Sequence, residues 1–238
     1  MKVIVVKNYE EMSRCAADLF TERMSQKKNL ILGLATGSTA EGLYAELVQR
    51  NQEGRIDFAG VQTFNLDEYE GISAENEQSY RYFMNHHLFS KVNINPENTH
   101  FPSLDPDGSG KAYDDAIEQA GGIDIQLLGL GRNGHIAFNE PDETLNNYTS
   151  RITLTQSTID ANSRFFDSSD EVPRTAISMG VGSIMRAREL VILASGADKA
   201  EAVSWLLKGT GITTQVPATL TLVHPHVTLI IDEKAAGK

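Results

Sequence analysis

The chain has 238 residues, with 32 acidic side chains against 21 lysines and arginines, and so a net charge of −11. Its 40% hydrophobic and 22% charged content suits a globular protein with a sizeable core and argues against disorder. The acidic balance disfavours nucleic acid and anionic membrane surfaces, and the single cysteine, Cys15, excludes an internal disulfide or a multi-cysteine metal site.

Taken in order, the opening Met1-Lys2-Val3-Ile4-Val5-Val6-Lys7 is too short for a signal-peptide core and reads as a first strand over 3–6. Further apolar runs predict strands at 30–34, 61–65, 125–130, 190–194 and 227–231. Between them, helical patterns fall at 9–24, 40–52, 79–89, 111–120, 156–162 and 199–208, the first capped by Asn8. No run approaches the ~20 apolar residues that span a bilayer, and the lone cysteine fits a reducing cytoplasm. The proline- and glycine-rich stretch 95–110 reads as a long surface loop within one domain covering 1–238. Alternation of strand and helix predicts an α/β fold, an open and mostly parallel sheet with helices on both faces in a Rossmann-like three-layer arrangement.

Three predicted strands run into glycine-rich polar turns: Leu34 into Thr36-Gly37-Ser38, Leu130 into Gly131-Arg132-Asn133-Gly134, and Ala194 into Ser195-Gly196. A fourth ends in Asn65-Leu66-Asp67-Glu68-Tyr69. Because open parallel sheets bind ligands beyond the carboxyl ends of their strands, these four tips point to one shared site.

Each tip has its own chemistry. Thr36-Gly37-Ser38-Thr39 sets three hydroxyls and a glycine at a strand-to-helix turn, where free N–H groups favour phosphate; the plain alternative is a Ser/Thr helix cap. Gly129-Leu130-Gly131-Arg132-Asn133-Gly134 matches the dinucleotide pattern in form, but Pro141 would halt the long helix that NAD binding needs. The glycines instead present His135, with Glu140 nearby to fix its tautomer. A structural loop histidine is the alternative. In an extended strand Asp67 and Glu68 point to opposite faces, so one can enter a cleft while the other packs behind it. Arg164 and Lys199 are cations that could clamp a phosphate or form surface ion pairs. The pair His86-His87 lacks metal-ligand spacing.

Thr36-Gly37-Ser38-Thr39, Phe64-Asn65-Leu66-Asp67-Glu68-Tyr69, Gly134-His135-Ile136-Ala137-Phe138-Asn139-Glu140-Pro141, Ala161-Asn162-Ser163-Arg164-Phe165-Phe166 and the turn 196–199 span nearly the whole chain. Together they resemble the glucosamine/galactosamine-6-phosphate isomerase family. The resemblance implies isomerising deamination of glucosamine 6-phosphate to fructose 6-phosphate and ammonium. It casts Asp67 as the base between C2 and C1, and His135, supported by Glu140 and Asn133, as the ring opener. Thr36, Gly37, Ser38, Thr39, Arg164 and Lys199 would hold the substrate phosphate. Many family members carry aspartate at the position of Asn133; an amide orients His135 but cannot stabilise its cation by charge. No metal or cofactor is implied. Allosteric members have a longer C-terminal segment and a basic residue where this chain has Thr153, two positions after Arg151, so a monomer is expected. The competing readings are a 6-phosphogluconolactonase-like hydrolase and a non-catalytic sugar-phosphate sensor domain.

Overall fold

The computed structural model describes residues 1–155, 159 and 173–238. β1 (Lys2–Val6) leads into α1 (Tyr9–Gln26), where the Asn8 side chain accepts from the Glu11 amide at 2.9 Å. Glu10 and Glu11 in the first turn and Arg23 in the last complement the helix dipole. Met12, Ala16, Phe20 and Met24 recur every fourth residue and form the buried stripe of α1. β2 (Ile31–Leu34), α2 (Ser38–Gln52) and β3 (Gln62–Asn65) form the next strand–helix–strand unit. The α2 stripe Ala40, Leu43, Tyr44, Leu47 and Val48 is buried, and α1 packs on α2 and on the last strand.

Then follow β4 (Asp67–Tyr69), α3 (Tyr80–His87), β5 (Thr99–His100), α4 (Lys111–Gln119) and β6 (Ile125–Gly129). The remainder holds β7 (Ser150–Thr153), β8 (Thr175–Ser178), α5 (Val181–Met185), β9 (Glu189–Ala194), α6 (Ala200–Lys208) and β10 (Val227–Asp232).

The main sheet is wholly parallel, in the order β1-β10-β9-β6-β2-β3-β5, with helices on both faces. This bears out the expected fold class. β2 and β10 are buried along their whole length, which is why they read as unbroken apolar runs. Full burial of a side chain such as Leu32, Leu128 or Ile192 contributes ~1.5–3 kcal/mol. From β2 the chain builds outward through β3 and β5, then returns beside β2 with β6 and builds the other way through β9 and β10. The direction reverses between β2 and β6, the place where open α/β sheets form their binding crevice.

The sequence reading missed a second sheet. β4, β8 and β7 pair antiparallel, Asp67 opposite Ser178 and Ser150 opposite the same Ser178. Tyr69, Phe138, Leu154, Ile159 and Ala176 give it a small core of its own. The stretch 95–110 is also more than a loop, since β5 pairs with β3 and extends the main sheet by one edge strand. α6 begins one residue later than expected, after a 3-10 turn at Ala197–Lys199. The helix expected over 156–162 lies outside the described residues except at Ile159.

Candidate active site

In a parallel sheet every carboxyl tip lies on the same edge. The tips of β9, β6, β2 and β3 are consecutive neighbours, so the four turns singled out above share one stretch of that edge.

The β2 tip feeds α2 through Gly37, whose φ of 110° is a conformation that a side chain would resist. Gly37 is the residue that caps α2, and no side chain supplies a capping hydrogen bond there. The alternative of a plain Ser/Thr cap is therefore not what the hydroxyls do. Gly37 and Ser38 are exposed, Thr36 and Thr39 half-buried, around a helix start whose N–H groups attract an anion.

At the β6 tip the glycine pattern opens no helix. The Gly131 amide donates to the His135 carbonyl at 2.9 Å, closing a tight loop. A Cβ on Gly131 would lie 2.4–2.5 Å from the His135 ring, so only glycine leaves the imidazole its place. Ala137 then takes a left-handed φ of 51°, a strained conformation for a residue with a Cβ. The Asn139 amide holds that turn by donating to the carbonyls of Ile136 at 3.0 Å and Met179 at 2.9 Å. The turn brings Glu140 back onto the loop. Its Oε1 lies 3.0 Å from His135 Nδ1, while Asn133 Nδ2 donates to its Oε2 at 2.6 Å. The Asn133 side-chain oxygen in turn accepts from the His135 backbone at 3.2 Å. Three of the expected site residues thus form one connected group.

Asp67 begins β4, just beyond the β3 tip, and is 7% exposed. Burial, with the adjacent Glu68 charge second, pushes its carboxyl up to about 8. Among the described residues no hydrogen-bond donor meets that carboxyl. Tyr44, Tyr69, Tyr80 and Tyr113 lie near enough to interact electrostatically with it. Tyr80 packs on Tyr69 at 4.9 Å and on Phe138 at 6.2 Å between ring centroids. Glu68 turns away from this wall and accepts the backbone amides of Tyr80 and Arg81, as the opposed-face reading expected.

At the β9 tip, Ser195 and the Gly196 amide donate to Asp232 of β10 at 2.6 and 3.1 Å, which fixes the turn that carries Lys199. Burial works to raise the Asp232 carboxyl, but the hydrogen bonds from Ser195, Ala235 and Gly196 outweigh it and hold it low. The Lys199 ammonium is half-buried and makes no ion pair among the described residues; burial lowers it. A surface ion pair is formed next door instead, Arg132 to Asp198 at 2.7 Å, joining the β6 and β9 turns. Arg164 lies outside the described residues. Arg151, near the region compared with allosteric relatives, is engaged by Glu70 through contacts of 2.6–3.0 Å. Among the described residues, no group of three His, Cys, Asp or Glu side chains comes together as a metal centre.

A buried, high-affinity carboxyl and a carboxylate-supported histidine beside an anion-binding helix start define an α/β enzyme acting on a small anionic substrate. Comparison narrows the class. The profile of the family described as glucosamine-6-phosphate isomerases/6-phosphogluconolactonase matches residues 7–230, and the chain belongs to that family. It is 55% identical to a glucosamine-6-phosphate deaminase of Clostridium beijerinckii, across 100% of this chain and 99% of that protein. Identity to the glucosamine-6-phosphate deaminase of Thermoanaerobacter pseudethanolicus is 53%, over 100% of this chain and 94% of the relative. A solved structure described as a monomeric glucosamine-6-phosphate deaminase superposes with a TM-score of 0.94 at 39% identity, covering 100% and 99% of the two chains. The 6-phosphogluconolactonase from Trypanosoma cruzi shares the fold, with a TM-score of 0.75 at 20% identity over 100% and 96%.

Proposed function

We propose that this enzyme converts glucosamine 6-phosphate and water into fructose 6-phosphate and ammonium. The phosphate sits at the start of α2, against Thr36, Gly37, Ser38 and Thr39, with Lys199 and Arg164 supplying charge. This binding energy positions the sugar's C1 and C2, which lie far from the phosphate. His135, oriented by Glu140 and Asn133, moves the ring-opening proton and exposes the C1 aldehyde. Asp67 takes the C2 proton, made acidic by that carbonyl, to give an enolamine. Return of the proton at C1 gives the ketimine, and water adds to C2 to release ammonium. Proton transfer drives the C1–O5 cleavage of ring opening, and water addition followed by proton transfer drives the C2–N cleavage that frees ammonium. These side chains can serve that chemistry without a metal or redox cofactor.

The observation that carries this reading is the Asp67 carboxyl. A carboxylate pushed up to about 8 by burial is a far stronger base towards carbon than an ordinary aspartate. The full-length likeness to glucosamine-6-phosphate deaminases supports the choice of substrate. We also propose that the chain works as a single-domain cytoplasmic monomer in amino-sugar catabolism, including N-acetylglucosamine utilisation, with no nucleic-acid partner. The monomeric solved relative supports its assembly state. Among the described residues, no helix is long and apolar enough to cross a membrane.

A coupled assay for ammonium release from glucosamine 6-phosphate tests the reaction. Wild type should turn over, and Asp67→Asn should lower kcat by about 10³-fold or more while sugar-phosphate binding stays nearly intact. Hydrolysis of 6-phosphogluconolactone with no ammonium released from the amino sugar would select the lactonase reading instead. Tight binding with neither reaction would select the sensor.

A further inference from the structure

Glu68 has no part in the chemistry above, yet three backbone amides hold it beside the cleft. Its Oε1 accepts the backbone N–H of Tyr69 and of Tyr80, both at 2.9 Å, and its Oε2 accepts that of Arg81 at 2.9 Å. Ser79 caps the same turn, accepting from Tyr82 at 3.0 Å. All three opening amides of α3 are therefore satisfied, two of them by a side chain from a different element. Convergent N–H donors at a helix start favour the ionised carboxylate. Burial holds the Glu68 carboxyl above the ordinary carboxylate range, and the three amides with the Arg81 charge offset that rise only in part.

We propose that Glu68 is a positioning residue for proton transfer: it ties β4 to the first turn of α3, fixing the backbone from which Asp67 projects, and stations a negative charge behind it when ionised. The proposal rests on the reading of Asp67 as the base. The groups facing Asp67 come from several elements: Tyr44 of α2, Tyr69 of β4, Tyr80 of α3 and Tyr113 of α4. All four phenols are held neutral, chiefly by burial. Glu68 is the one charged neighbour acting on Asp67 among the described residues, and Arg81 of α3 acts on Glu68 rather than on Asp67. A fixed anion close by disfavours a second one, so Asp67 holds a proton more tightly. The tie to α3 also keeps Tyr80 on Tyr69 and Phe138, the wall that excludes water from the base.

The test compares Glu68→Gln, Glu68→Asp and Ser79→Ala with wild type by two readouts. One is the pH profile of kcat/KM for ammonium release. The other is a ¹³C NMR titration of the Asp67 carboxyl, assigned by its loss in Asp67→Asn. Glu68→Gln keeps the shape and removes the charge. Its Asp67 midpoint and the acid limb of its profile should move to lower pH, and kcat should fall about tenfold with KM nearly unchanged. Glu68→Asp keeps the charge but loses reach, so its midpoint should stay near wild type while kcat falls. Ser79→Ala weakens the same helix turn without touching charge and should leave both midpoint and profile in place. An unmoved midpoint in Glu68→Gln would overturn the proposal, as would an equal shift in Ser79→Ala. The titration needs no substrate, so a wild type that released no ammonium would sink the proposed reaction and leave this test standing.

Discussion

The two edges of the parallel sheet use charge in opposite ways. The amino edge holds a cavity of about 510 Å³ lined by Arg23, Lys27, Asp124, Arg188 and Glu189 among others. There the charges are matched: Arg23 meets Glu189 at 2.9 Å, Lys27 meets Asp124 at 2.6 Å and Arg188 meets Asp124 at 2.9 Å. At the carboxyl edge Lys199 has no ion pair among the described residues, and the Asp67 carboxyl meets no donor. Matched charges satisfy each other and leave little for a ligand to gain. Unmatched, half-dry ones keep their interaction energy in reserve for a substrate. A cavity alone does not mark the site; unsatisfied polar groups mark the edge where we place the chemistry.

That contrast can be broken by substitution at either edge. Beyond the proposed base itself, the largest effect should come from Gly131→Ala, whose methyl group must displace the His135 ring. We expect kcat to fall about 10²-fold with the protein still folded, judged by steady-state kinetics beside circular dichroism. Undiminished turnover would remove His135 from the mechanism. Lys199→Ala should come next, raising KM about 10–100-fold, as loss of a charge-assisted contact to phosphate predicts, with a smaller change in kcat. An unchanged KM would mean that Lys199 does not face the phosphate.

A smaller effect reads stability directly. Asp67 binds its proton more tightly in the folded state, about 8, than in the unfolded chain, roughly 3.9. Its contribution is thus complete below pH ~4 and disappears as pH rises through the folded value of about 8. Asp67→Asn has no charge to bury. Without substrate it should melt higher than wild type near pH 8.5, by about 2–4 °C for each kcal/mol recovered, and the gap should narrow towards pH 5. A gap independent of pH would show that Asp67 is not carrying a raised proton affinity. The smallest effect belongs to the amino edge: Arg23→Gln should cost about 0.2–1 kcal/mol in chemical denaturation and leave kcat and KM unchanged.

What the sequence disclosed tracks how local the cause is. β2, β6, β9 and β10 are buried apolar runs that announce themselves within four to six residues, and glycines at the tips of the first three point to the candidate site in the same stretch. β4, β7 and β8 carry Asp-Glu-Tyr, Ser-Arg-Ile-Thr and Thr-Ala-Ile-Ser, which show no usable alternation, and they pair across long separations. β5 is two residues of a proline-rich stretch that becomes a strand only because β3 offers an open edge. In the site, His135 and Glu140 were close in sequence, but their contact depends on a left-handed Ala137 that no residue type signals. The role of Glu68 was hidden for the same reason as the small sheet: its partners are the amides of a helix in another element.

Leu66 separates the two sheets, giving its N–H to Leu34 of the main sheet at 3.0 Å while its carbonyl accepts from Met179, next to β8, at 2.8 Å. The proposed anchor for phosphate hangs on one side of this joint, and the proposed base on the other. Among the described residues the small sheet has the lesser core, so it is the part that heat or denaturant should loosen first. A molecule in that condition would still grip its substrate by the phosphate and do nothing with it: disarmed well before it is unfolded.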